Sequence, residues 1–323
     1  MSRAMRVHDS LASEHRDMAA DLGPRTQASK PARRMDIELA RILASIGIVL
    51  FHTHYGFNAF SYSGIVIFSF MTMWLTAQSP TISLSDKARR FLQPWAFWMV
   101  IYGLVNLLGH HPLFGRGTHP FTQLFAGTSV HLWYMPFAFG CVVVYAWARR
   151  WAAPHPLALG AGVLAIGMLL AHAMWRGLSV QCLVPIGQWA HAMPAVLLGV
   201  AATHPSLTRR VWLRHALWIA AMVSAGLAID DPWLGWAYLT GLPICWILST
   251  RPAWTQVLSR FDWRVLSSCT PGVYFSHILV YQALQRVVPP TALSLIPWLT
   301  IALSFAMVWV LRKSLPRFND VWS

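Results

Sequence analysis

Charge is what this chain has least of. Only 11% of its 323 residues are Asp, Glu, Lys or Arg, and only eleven are acidic. A soluble domain carries about 25% charged residues, so a surface built wholly for water is excluded. Cysteine is scarce too. Cys141, Cys182, Cys245 and Cys269 lie far apart, in or beside apolar runs, which excludes a disulfide scaffold. No HExxH, CxxC or GxSxG stretch occurs, and no Gly-rich phosphate loop. Glu38 is the only acid well placed inside an apolar segment. Paired-carboxylate hydrolysis and a carboxylate metal site therefore lack material. What abounds is apolar: 56% of residues are hydrophobic, and the mean hydropathy is +0.48. That excludes disorder and predicts an all-α polytopic membrane protein.

A net charge of +14 and a pI near 10.5 raise nucleic acid as a partner. The basic residues, however, fall in short clusters between apolar runs rather than along one face, so no nucleic acid is expected. Ten segments approach spanning length: Ile37–Tyr55, Tyr62–Gln78, Phe91–Leu108, Leu132–Ala148, Leu157–Met174, Ile186–Ala202, Val211–Ile229, Trp233–Ser249, Pro271–Val288 and Ala292–Leu311. With the N-terminus inside, the inner loops hold the clusters Lys87/Arg89/Arg90, Arg149/Arg150, Arg209/Arg210/Arg214, Arg251/Arg260/Arg264 and Arg312/Lys313/Arg317. The outer loops hold only Arg116, Arg176 and Arg286. This alternation predicts both termini in the cytoplasm. It divides the chain into a partly disordered cytoplasmic tail (1–35), a transmembrane domain (36–315) and a short cytoplasmic end (316–323). The tail lacks the apolar core of a signal peptide. Trp95, Trp133, Trp151, Trp233 and Trp298 lie near predicted span ends, as interfacial belts require. The outer loop Gly109–Val130 carries His110, His111 and His119 without an acid or cysteine beside them, so no metal is expected there.

Ionisable groups inside a span are costly and default to functional candidates. In the first span Arg41 and His52 are eleven residues apart, three helical turns plus about 20°, so they share a face. Ser45 and Glu38 fall within about 60° of it. The axial separation of Arg41 and His52 is about 16–17 Å, which sets the guanidinium near the inner surface and the imidazole in the outer half. Glu38 is a natural i,i+3 partner for Arg41. Lys87-Ala-Arg89-Arg90, before the third span, supplies further cations on the inner side, where arginine forks suit phosphate. In the ninth span Pro271 suits a first helical turn, with Tyr274 and His277 one turn apart on one face. Histidine is the only general base available near neutral pH. Inner cations and a distant base fit an elongated, phosphate-bearing donor whose reactive end lies far from its phosphates.

At these residues the chain resembles the acyltransferase 3 family of integral membrane O-acyltransferases. The resemblance rests on Arg41 and His52 with ten residues between them, and on Lys87-Ala-Arg89-Arg90-Phe91-Leu92-Gln93-Pro94-Trp95. It continues through His131-Leu132-Trp133-Tyr134-Met135-Pro136, Pro194-Ala195-Val196-Leu197-Leu198-Gly199 and Tyr274-Phe275-Ser276-His277. One departure is Thr72-Met73, where the family carries Ser-Gly, which puts close backbone packing there in question.

The resemblance implies transfer of an acyl group, acetyl by default, from cytoplasmic acyl-CoA to a hydroxyl of a surface glycan or glycolipid precursor in a bacterial inner membrane. It implies Arg41, Lys87 and Arg90 at the donor phosphates. His52 is base or transient acyl carrier, and Glu38 serves it by positioning Arg41. Trp133, Tyr274 and His277 line the substrate. Membrane lipids and glycan-assembly machinery are the implied partners. A glycolipid transporter or flippase, or a catalytically degenerate component of a glycan pathway, is the alternative.

Overall fold

A computed structural model describes residues 34–54, 56, 58–114, 120–182, 184–251 and 253–322. The predicted tail (1–35) and His119 therefore fall almost wholly outside the described residues. Among those residues every regular element is a helix. In chain order they are α1 (Met35–His52), α2 (Asn58–Ser61), α3 (Ser63–Ala77), α4 (Leu84–Leu108), α5 (Pro120–Ala126), α6 (Tyr134–Trp151), α7 (Pro154–Leu170), α8 (His172–Gln181), α9 (Ile186–Ala201), α10 (Pro205–Arg209), α11 (Val211–Leu227), α12 (Pro232–Thr250), α13 (Arg264–Val287), α14 (Ile296–Ser314) and α15 (Asn319–Trp322). Short 3-10 turns precede α6 (Val130–Trp133), α13 (Ala253–Arg260), α14 (Pro290–Leu295) and α15 (Pro316–Phe318).

Each of the ten apolar segments carries a helix, with three informative differences. Among the described residues four stretches are long and apolar enough to cross a membrane by themselves: Asn58–Ala77, Leu84–Leu108, Val130–Trp151 and Pro290–Ser314. The fifth segment is broken, because Pro154–Leu170 and His172–Ser179 meet at 77°. The third helix begins seven residues before its apolar run. Ser83 caps it by accepting from the Asp86 amide (3.3 Å), and Asp86 sits in the favourable first turn. The ninth begins at Arg264, so Pro271 lies inside α13 and not in its first turn. A proline there leaves the carbonyl four residues back without its amide partner. That carbonyl belongs to Ser267, and the Thr270 hydroxyl donates to it instead (2.9 Å).

α3 is the centre of the bundle, with eleven of its fifteen residues buried. α1, α6, α9 and α12 pack on it. α4 is peripheral. Its buried residues are Pro94, Trp98, Tyr102 and Gly103, a single stripe at four-residue spacing. The rest of α4 turns Val100, Leu104, Leu107 and Leu108 outward, and α7 does the same with Leu159, Val163 and Leu164. Apolar exteriors of this extent are stable against hydrocarbon and not against water. The chain is an integral membrane protein.

Two devices hold the centre together. The first repairs the break at Pro194 in α9. The buried Tyr238 hydroxyl, from α12, accepts from the Ala195 amide (3.2 Å) and donates to the His191 carbonyl (2.6 Å). An unbroken helix joins that amide and carbonyl directly. The second is glycine-mediated contact. A Cβ on Gly199 would stand 2.5 Å from the Phe70 carbonyl oxygen, and one on Gly64 would stand 2.4 Å from that of Ala44. Thr72-Met73 therefore does not prevent close packing of α3, because its partner α9 supplies the glycine. Gly199→Ala is expected to destabilise the protein by about 1–3 kcal/mol, read as thermal unfolding in detergent. Gly160→Ala is the control: no atom lies within 4 Å of a Cβ there, so helix propensity should make it neutral or slightly stabilising.

Candidate active site

α1 starts with Asp36 and Glu38 in its first turn, where the helix dipole favours carboxylates. It stops at His52, beyond which His54 adopts a left-handed φ of 54°. α13 lies alongside it in the same direction. Glu38 faces Ser267, Ser45 donates to the Thr270 carbonyl (3.4 Å), and His52 meets His277. Rising residue numbers meet rising residue numbers, so the two helices are parallel.

The N-terminal end of this seam is ionic. Arg41 Nη1 donates to Glu38 Oε2 at 3.3 Å, and the Ser267 hydroxyl donates to the same oxygen. Glu38 is buried, whereas the Arg41 side chain keeps 33% of its surface exposed. A buried carboxylate with a charged and a neutral donor is satisfied, and the pairing leaves a third of the Arg41 side chain exposed. Below it, Asp262 takes a fork from Arg264 (2.8 and 2.6 Å), and that bonding holds its carboxyl down at about 2. At the start of α4 the Lys87 ammonium donates to Thr76 Oγ1 (3.2 Å), while Arg89 and Arg90 are exposed.

The C-terminal end is a cluster of imidazoles and phenols. The His52 ring centroid lies 5.1 Å from that of His277 and 6.0 Å from that of His131, and His131 and His277 are 5.1 Å apart. His131 enters from the 3-10 turn before α6. Its Nδ1 pairs with the Ser129 hydroxyl (2.9 Å) and its Nε2 with the Phe275 carbonyl (3.2 Å). The Tyr102 hydroxyl, from α4, donates to that carbonyl as well (2.7 Å). The Tyr274 hydroxyl returns the contact by donating to the His131 carbonyl. His277 Nδ1 lies 3.1 Å from the Val273 carbonyl and 2.8 Å from that of Tyr274. Trp133 is buried against Tyr134 and Phe137 (centroids 5.8 Å each). The Tyr134 hydroxyl is 3.1 Å from Thr72 Oγ1.

His52, Tyr274 and His277 thus gather at one end of the seam, and Glu38 and Arg41 at the other, while the ring contacts of Trp133 among the described residues are with Tyr134 and Phe137, not with the histidines. Glu38 stands about 21 Å from His52 along α1, so it touches Arg41 and Ser267, and its place in the site runs through Arg41. Three histidines so close invite a metal. Both nitrogens of His131 are already engaged, and among the described residues no group of three His, Cys, Asp or Glu side chains is placed to hold a metal ion. His131, Tyr102 and Ser267 were not expected from the sequence. His131 heads a quoted motif but precedes its span, and Ser267 precedes Pro271, where the helix was not expected.

The chain is thus a helical membrane bundle with an ion-paired end and a histidine end on one parallel helix pair. Residues 35–311 match the family model whose description is the acyltransferase domain of the acyltransferase 3 type. The chain belongs to that family and is a membrane O-acyltransferase. No curated protein and no solved structure matches it.

The ionic end can be tested by itself. A double-mutant cycle of Glu38→Gln and Ser267→Ala should return a coupling of about 1.5–3 kcal/mol, the range for a bond to a charged group. It is read from thermal unfolding in detergent. Additive effects would mean that the pair does not hold the seam.

Proposed function

We propose that this protein takes an acyl group, acetyl by default, from cytoplasmic acyl-CoA. It passes that group to a hydroxyl of a cell-surface glycan or glycolipid precursor at a bacterial inner membrane. The carrying observation is that α1 bears the partly exposed Arg41 side chain at one end and an imidazole cluster at the other, about 16–17 Å apart. An elongated donor suits that separation: diphosphate at the cations, thioester at the imidazoles. Arg41, Lys87 and Arg90 bind the phosphates, with Glu38 and Ser267 fixing Arg41. His52 takes the proton of the acceptor hydroxyl, or carries the acyl group in passing. Trp133 and Tyr274 wall the acceptor side.

Ten crossings with both termini in the cytoplasm accommodate this chemistry. Parallel α1 and α13 support the reading, because they correspond to the first and ninth crossings, which must run the same way. Basic residues at the inner turns support it too: Arg149 Nη1 clasps the Ser79 carbonyl (2.9 Å) beyond the end of α3.

Mass spectrometry of host surface glycans tests the reading. A deletion strain, the same strain with wild type restored, and one with His52→Ala at matched expression are compared. An acyl increment seen with wild type alone is the expected result. Its persistence with His52→Ala would remove His52 from the chemistry. Arg41→Ala should raise the KM for acyl-CoA about 10- to 100-fold, the loss of one charge-assisted contact of about 1.5–3 kcal/mol, with a smaller effect on kcat. An unchanged KM would place the phosphates elsewhere.

A further inference from the structure

We propose that His277 is the proton acceptor of a two-imidazole relay with His52, working through its Nε2. The proposal rests on the acyl-transfer reading above and deepens it.

A carbonyl oxygen can only accept a hydrogen bond. His277 Nδ1 faces two of them, those of Val273 and Tyr274 at 3.1 and 2.8 Å, so Nδ1 carries the proton and Nε2 holds the lone pair. The side chain is fully buried, and Nε2 has no hydrogen-bond partner among the described residues. Leaving a buried acceptor unpaired is costly and calls for a reason. Packing cannot supply that reason, because a residue without the second nitrogen would avoid the cost.

The ring beside it is His52, at a centroid distance of 5.1 Å. No hydrogen bond joins His52 to Nε2 among the described residues, so the transfer runs through one water or a rotation of the His52 ring. His131 is equally near but is not free to serve. Its Nε2 donates to the Phe275 carbonyl and its Nδ1 accepts from Ser129. Its task is to hold, with Tyr102, the turn of α13 that carries His277. Of the three imidazoles, His277 alone presents a nitrogen whose tautomer is fixed by the backbone and whose lone pair is unspent.

The step balances without a further reagent. As the acceptor oxygen forms its bond to the thioester carbon, its proton passes to one nitrogen of His52. The other nitrogen of His52 releases its own proton to His277 Nε2. The positive charge then rests on His277, where the two carbonyls facing Nδ1–H stabilise an imidazolium. Collapse of the tetrahedral adduct breaks the carbon–sulfur bond. The proton returns through His52 to the thiolate, leaving ester and free CoA thiol.

The test uses inverted membrane vesicles from the host with labelled acetyl-CoA or succinyl-CoA, counting label in the glycan fraction. His277→Asn keeps an N–H donor near the Nδ1 position and deletes the second nitrogen, whereas His277→Ala deletes both. The relay requires kcat to fall about 100-fold in each, with the KM for the labelled donor unchanged. It also requires added imidazole to restore part of the rate in His277→Ala. A wild-type rate in His277→Asn, or loss in both variants without imidazole rescue, overturns the relay. If His52→Ala is inactive beside a fully active His277→Asn, the acyl-transfer reading stands and only the relay falls. If wild-type vesicles transfer no label from either donor, the acyl-CoA reading falls and the relay with it.

Discussion

A hydrocarbon interior offers polar groups no water, so each must find its partner within the protein. The parallel seam of α1 and α13 answers that constraint twice along its length, where Glu38 meets Arg41 and Ser267 and where Ser45 meets the Thr270 carbonyl. At its third polar level the His52 and His277 rings pack on each other without a hydrogen bond between them. None of these groups belongs in lipid alone. Together they make one face of each helix intelligible only in the presence of the other. The buried aliphatic contacts of Val49, Val273 and Val308 fill the seam between the polar levels. The site is therefore part of what holds the bundle together.

This arrangement separates two tasks that a single polar pocket would confuse. The N-terminal end fixes charge by pairing it, with the buried Glu38 holding the partly exposed Arg41. The C-terminal end clusters aromatic donors and acceptors, with Tyr102 and Tyr274 bracing the backbone around His131 and His277. The ion-paired end and the imidazoles are kept apart by some 16 Å of helix. Strong binding at a distance from the reacting bond is how remote contacts are put to use in catalysis.

Much of this was legible in the sequence because periodicity is a one-dimensional signal. The helical nature of the chain, the shared face of Arg41 and His52, and the turn joining Tyr274 to His277 follow from residue spacing. What spacing cannot carry is the third dimension. His131 precedes its span by position and enters the site only because a 3-10 turn carries it inward. Ser267 was hidden by Pro271, whose presence argued for a helix start. Thr270 offsets the missing amide, and the helix continues seven residues upstream of the proline. The bend between α7 and α8 went unseen, because an apolar run reads the same whether straight or broken. The missing glycine at Thr72-Met73 pointed to loose packing until its partner helix was seen to carry Gly199.

The clasp at Pro194 bears on how this sequence can drift. Tyr238 serves an amide and a carbonyl that a straight α9 would join without help. Replacing the tyrosine first strands both groups in a buried, apolar setting, a step that selection removes. Replacing the proline first lets the helix straighten and leaves the hydroxyl redundant, after which the tyrosine is free to change. The two positions form a ratchet with one permitted order of loss, although they lie more than forty residues apart and on different helices.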